Sequence, residues 1–262
     1  YSLRHLEIGV RFSEHNKIMQ CFSKDSHANA TPIVSLNKTT LKSWGRSQSK
    51  PLRNWIRNTK FIAAPGTISL FAGNDGELER DLFGTGPSNL PTREDIWEWA
   101  SLPCSLPSGL YRLDSSVTTK LADRITLGWA LGSYSFQRYH KEPRKLARLV
   151  LPNNCNWVDV ERTMRAINFA RDLINTPASE MGPQELTRAA RVLARSNGAT
   201  CNVIKGKMLI QQNYPAVHAV GRASTHSPRL IDIRWGESVS YPKIVLVGKG
   251  VCFDSGGLNL KS

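Results

Sequence analysis

Two lysines and one aspartate at the end of the sequence carry its clearest chemistry. Residues 247–262 read VGKGVCFDSGGLNLKS, placing Lys249, Asp254 and Lys261 within thirteen positions. Gly248 and Gly250 flank Lys249, and Gly256-Gly257 follow Asp254, so the backbone can turn tightly and approach a ligand closely. The apolar run Lys243–Val247 just before them predicts a buried strand. In an α/β domain ligands gather at the carboxyl ends of strands, where this pattern would present its side chains. The plainer chemistry is an ion-pair cluster, with two ammonium groups around Asp254.

These residues resemble the first signature of the leucyl aminopeptidase family, two-metal exopeptidases that remove N-terminal residues from peptides. The resemblance implies that Lys249 and Asp254 are metal ligands, Asp254 bridging two divalent ions (Zn or Mn). It implies that Lys261 is the catalytic residue that polarises the scissile carbonyl. Two further phrases extend it: Leu127-Gly-Trp-Ala-Leu-Gly-Ser-Tyr134, similar to the amino-terminal domain of a bacterial-type subgroup, and Arg171-Asp-Leu-Ile-Asn-Thr-Pro177. The family's remaining carboxylate ligands and its arginine belong to an Asn-Thr-Asp-Ala-Glu-Gly-Arg type motif, which these residues do not contain. One carboxylate and one amine are too few for two divalent ions. A lysine amine also ligates only when deprotonated, against a free pKa of roughly 10.4. The expectation is therefore a leucyl aminopeptidase-like protein, catalytically incomplete as given and without bound metal. It would serve as a structural subunit of a larger assembly, such as a mitochondrial ribosome, with other protein chains covering the catalytic part. The alternative is an active aminopeptidase acting on peptides, of which the front part is in view.

The elements that must position the signature read as α/β. The expected fold is a small α/β amino-terminal domain followed by the first part of a mixed-sheet α/β catalytic domain. The expected divisions are a basic extension over 1–60, an α/β domain over 61–157 and a catalytic domain over 158–262. Strands are predicted at Thr67–Phe71, Leu110–Leu113, Leu146–Pro152, Thr200–Ile204, Arg229–Trp235 and Lys243–Val247. Helices are predicted at Asp95–Ala100, Leu121–Tyr139, Asp159–Asn175, Pro183–Ser196 and Lys207–Gln212. Alternating residues near Leu3–Phe12 hint at a further strand. The strands 229–235 and 243–247 would pair as a hairpin or neighbour one another in a mixed sheet.

Charge separates the first quarter from the rest. The chain carries +14, and residues 1–60 hold eleven basic against three acidic side chains, whereas 61–150 are balanced at ten of each. Such a footprint suits phosphate-rich partners or an organellar targeting segment, so RNA contact through 1–60 and a mitochondrial matrix location are expected, with the cytoplasm as alternative. Trp55 and Ile56, beside Arg53 and Arg57, either stack on bases or anchor a core, and their helical spacing favours the core. No stretch of eighteen apolar residues exists, so no membrane contact is expected. The five cysteines form no Cys-x-x-Cys pair and the six histidines no His-x-x-x-His pair, which argues against a zinc ribbon and a disulfide framework. His218, in an apolar run, reads as a core histidine. Arg222 and Arg229 read as surface cations. Gly248-Lys249-Gly250 lacks the spacing of a phosphate-binding loop.

Overall fold

The computed structural model describes residues 19–23, 30–85, 94–139, 145–236 and 241–253. The hinted strand at Leu3–Phe12 lies outside them. The chain divides into two compact units, one spanning Phe12–Ala170 and the other containing Arg171–Ser262.

The first unit is built on a six-stranded sheet: β1 (Phe22–Ser23), β2 (Thr31–Leu36), β3 (Ile68–Ala72), β4 (Leu78–Gly84), β5 (Leu110–Leu113) and β6 (Arg148–Val150). Their order across the sheet is β1-β6-β5-β2-β4-β3. Only β3 and β4 pair antiparallel, joined through the turn at Gly73–Gly76; every other neighbour is parallel. Parallel neighbours need crossovers that cover the sheet, and the helices supply them. These are α1 (Lys38–Arg46), α2 (Lys50–Asn58), α3 (Glu94–Ala100), α4 (Leu102–Ser105) and α5 (Thr119–Gly132).

Alternation along the strands splits the core in two. Ile33, Phe83 and Tyr111 face one side with Trp99, Ile125, Trp129 and Met164. Val34, Leu36, Leu82 and Phe71 face the other with Leu52 of α2. Residues 31–60, read from sequence as part of a basic extension, thus contribute a central strand and two helices to this sheet. Each of those helices starts on a side-chain cap. Asn37 accepts the N–H groups of Thr39 and Thr40, both at 2.9 Å, and Ser49 Oγ accepts from Leu52. Such caps satisfy the amide groups that a first turn leaves unpaired.

The long helix α6 (Trp157–Asn175) crosses the boundary between the units. The second unit continues with α7 (Pro183–Ser196), β7 (Thr200–Lys205), α8 (Met208–Gln211), α9 (Pro215–Gly221) and β8 (Arg229–Arg234). Pro183 fills the first turn of α7, where no amide partner is needed, and Gly198 reverses the chain at φ 66°. β7 and β8 form an antiparallel pair from Thr200↔Arg234 to Lys205↔Arg229. The indole N–H of Trp235 donates to the Asn197 carbonyl at 3.0 Å and ties the strand end to the end of α7.

Candidate metal-binding segment

The segment expected to present the site takes another form than the sequence predicts. Residues 241–253 have no regular secondary structure, and the strand predicted at Lys243–Val247 is not formed. Ile244, Val245, Leu246 and Val247 are 84%, 70%, 92% and 92% exposed. An apolar run becomes a strand only where a sheet edge and a cover await it. β8 pairs with β7 and not with this run, so neither predicted arrangement of 229–235 with 243–247 occurs.

Lys249 lies on this segment with its side chain exposed. Asp254 and Lys261 lie outside the described residues. One end of the segment passes over the first turn of α7: a Cβ on Gly250 would come within 3.1 Å of Leu186 Cδ2. The thiol of Cys252 is pushed above its ordinary value by burial and then by the nearby Glu185 carboxylate. Glu185 itself accepts from Arg188 at 3.2 Å. The first turn of α7 is therefore the element beside the signature, a role that nothing in its sequence announces. Among the described residues no three His, Cys, Asp or Glu side chains gather where they could hold a metal ion. The described donors thus do not fit a divalent centre by themselves.

The other candidates fall into place around the fold. His218 is half-buried on the short helix α9, not a core residue. Arg222 is exposed, and the half-buried Arg229 donates to Gln184 at 3.4 Å. In the first unit, Trp55 packs edge-on against Phe71 with ring centroids 6.2 Å apart yet stays 39% exposed, and it is Ile56 that packs against the core. Sequence reasoning passed over Asp81, which is fully buried in β4 with both carboxylate oxygens unpartnered. Burial raises its pKa to about 7.

Comparison with known proteins decides the relationship. Residues 168–262 match the model for the cytosol aminopeptidase family, catalytic domain, and residues 31–152 that for the M17 aminopeptidase, N-terminal domain. The chain belongs to the cytosol aminopeptidase family. It is 32% identical to a probable cytosol aminopeptidase of Rhodopirellula baltica over 91% of this chain and 49% of that protein. The crystal structure of cytosol aminopeptidase from Coxiella burnetii superposes with a TM-score of 0.79 at 36% identity, over 92% of this chain and 52% of the other. The bottromycin maturation enzyme BotP, solved in complex with Mn, shares the fold at a TM-score of 0.62 and 24% identity, over 79% of this chain and 45% of BotP. This member of the cytosol aminopeptidase family therefore spans about half the length of the relatives it matches.

Proposed function

We propose that the protein is a leucyl aminopeptidase-like metallopeptidase homologue that is catalytically incomplete over these 262 residues. Lys249 and Asp254 are its metal-ligand positions and Lys261 the residue directed at the substrate carbonyl. The observation that carries this reading is the extent of the catalytic-domain match: 168–262 runs through all three residues. One amine and one carboxylate do not balance two divalent ions. Hydrolysis then depends on further carboxylates that these residues do not supply. The ions, when bound, would supply Lewis-acid and nucleophile chemistry. This chain's part is to bring Lys249 past the first turn of α7 and to hold the preceding domain.

The 262-residue polypeptide, incubated with leucine p-nitroanilide and Mn²⁺ or Zn²⁺, is expected to release no more product than the metal salts alone. Metal-dependent turnover that Lys261→Ala abolishes would overturn the incompleteness and leave an active aminopeptidase. The intact mass of the native polypeptide separates the alternatives from another side. A value near 29.2 kDa favours incompleteness, and one near twice that favours a full-length enzyme.

A second reading, an assembly subunit that touches RNA through residues 1–60 in a mitochondrial ribonucleoprotein, is favoured by one observation, the basic excess of that quarter. The relatives named above carry the names of cytosol aminopeptidases and a maturation enzyme.

A further inference from the structure

Among the described residues, Asp81 is the only Asp, Glu, Lys or Arg that is fully buried. It stands on β4, one strand in from the sheet edge. Its register partners are Ile33 of β2 on the inner side and Leu70 of the edge strand β3 on the outer side. Neither carboxylate oxygen has a hydrogen-bond donor. A buried carboxyl without partners is tolerated as the neutral acid and is costly as the anion.

Nothing around Asp81 offsets that charge. The helices α3 and α5 bring Trp99, Ile125 and Trp129 to this face of the sheet, beside Ile33 and Leu70. The titratable members of this core among the described residues are Tyr111 and Cys21. Burial pushes both up to about 12, so they stay neutral while a carboxyl ionises. The Tyr111 hydroxyl is committed to the Pro107 carbonyl at 3.0 Å. The charged neighbours of Asp81 along β4, Glu79 and Arg80, pair with each other at 2.9 Å. An anion at Asp81 therefore gains solvation only from water.

The shortest way to water runs through β3. Among the described residues this strand pairs with β4 alone and ends the sheet. Its ladder shifts register between Phe71 and Ala72, one residue beyond the Leu70–Asp81 pair, and such an irregularity disrupts the pairing locally. The connection from α2 passes through the left-handed region at Lys60 (φ 52°) and Ala63 (φ 53°), where a side chain is strained. From the opposite face β3 is fastened by the partly exposed Trp55, which bonds Ser69 and packs on Phe71. An edge strand with an irregular ladder, a strained approach and a partly exposed fastening is the weak side of the enclosure.

We propose that ionisation of Asp81 releases β3 from β4, making this edge of the sheet a proton-operated latch, closed on the neutral acid and opening on the carboxylate. The proton passes to solvent and the carboxylate is hydrated in the gap. Linkage fixes the direction. In the open form the carboxyl titrates at roughly 3.9, in the closed form at about 7. Below pH 4 both forms hold the proton. Between pH 4 and 7 the open form has shed it and the closed form has not, so opening gains as pH rises, and above 7 the gain is constant.

The test is hydrogen–deuterium exchange of the full chain from pH 5 to 8, read by mass spectrometry with each rate divided by the intrinsic rate at that pH. At pH 7 peptides from β3 should be at least about tenfold less protected than those from β2 and β5, which await opening of the whole unit. From pH 5 to 7 the protection of β3 should fall by more than about tenfold. Asp81→Asn keeps the shape of the side chain without its ionisation, and its β3 protection should vary less than about threefold over that range. Trp55→Phe, which removes the bond to Ser69, should lower β3 protection several-fold at every pH and leave the slope in place. Protection of β3 that ignores pH would mean that the edge frays without reaching Asp81, and would overturn the proposal. So would β3 as protected as β2 and β5 throughout, a slope that survives in Asp81→Asn, or unchanged β3 exchange in Trp55→Phe. The wild-type comparison of β3 with β2 and β5 decides the matter even where a variant does not fold.

Discussion

Trp55 donates its indole N–H to Ser69 Oγ at 3.1 Å, joining the exposed helix α2 to the edge strand β3. The same indole is 39% exposed and sits edge-on to Phe71. One side chain thus carries both the apolar and the polar attachment of this helix. Trp55→Ala is expected to cost about 2 kcal/mol, below the usual loss for a buried tryptophan because part of the ring stays in water. Trp55→Phe should cost about 1 kcal/mol, the share of the hydrogen bond. Urea unfolding measures both, and equal losses would mean that the ring contributes little.

Asp81 should make the stability of the first unit depend on pH. It lies between Ile33 and Leu70 in register, on the sheet face that carries the aromatic core. Its folded pKa of about 7 lies above the unfolded value of roughly 3.9. Below pH 4 both states are protonated and the carboxyl costs nothing through ionisation. Between pH 4 and 7 the unfolded state releases its proton first, so stability falls as pH rises, and above 7 the penalty is constant. The full difference is at most about 4 kcal/mol, at 1.36 kcal/mol per pKa unit. Asp81→Asn should remove this slope, so that its stability relative to wild type climbs from pH 4.5 to 7.5. Parallel urea midpoints for the two proteins across that range would refute it.

The contact between α3 and α5 depends on two missing side chains. A Cβ on Gly128 would land on the carbonyl oxygen of Ile96, and one on Gly132 on that of Ala100. Gly132→Ala should therefore destabilise by about 1–3 kcal/mol through overpacking, although alanine is the better helix former. Gly45→Ala, where nothing opposes the new atom, should instead gain up to about 1 kcal/mol. Thermal melts of both variants check the opposite signs.

The free cysteines should react in a set order. Cys104 is exposed, whereas the buried Cys21 thiol is pushed up to about 12 by burial and that of Cys155 to about 11. Thiolate is the reactive form. With iodoacetamide at pH 8, peptide mass mapping should show Cys104 modified first, Cys155 slowly and Cys21 only in urea. Modification of Cys21 at the rate of Cys104 in the native protein would contradict the packing around it.

What could be read beforehand follows from how each residue announces itself. The helices at 157–175 and 183–196 and the strands at 200–205 and 229–234 fall within two residues of expectation. Pro183 and Gly198 mark ends by fixed backbone chemistry, and apolar faces recur at helical spacing. β2 escaped because it feeds apolar side chains to both cores, which blurs strand alternation, and because Pro32 near its start argues against a central strand. α1 and α2 read as part of a basic extension because their apolar positions are few, although Asn37 and Ser49 are good caps. The run at 243–247 shows the converse: strong strand residues without a strand. Propensity belongs to the residue, whereas an edge to pair with belongs to the fold. Lys249 stands out in the sequence by its residue type and flanking glycines, whereas the first turn of α7 beside it does not.

The sheet order also sets a timetable for synthesis. Among the described residues β1 pairs with β6 alone, and Arg148 donates to the Phe22 carbonyl across 126 residues of sequence. At elongation rates of about 5–20 residues per second, the ribosome needs roughly 6–25 s to deliver that partner. During this interval Phe22, one of the most deeply buried rings of the finished unit, has no seat in the sheet. The nascent chain must keep β1 from other edges until β6 emerges.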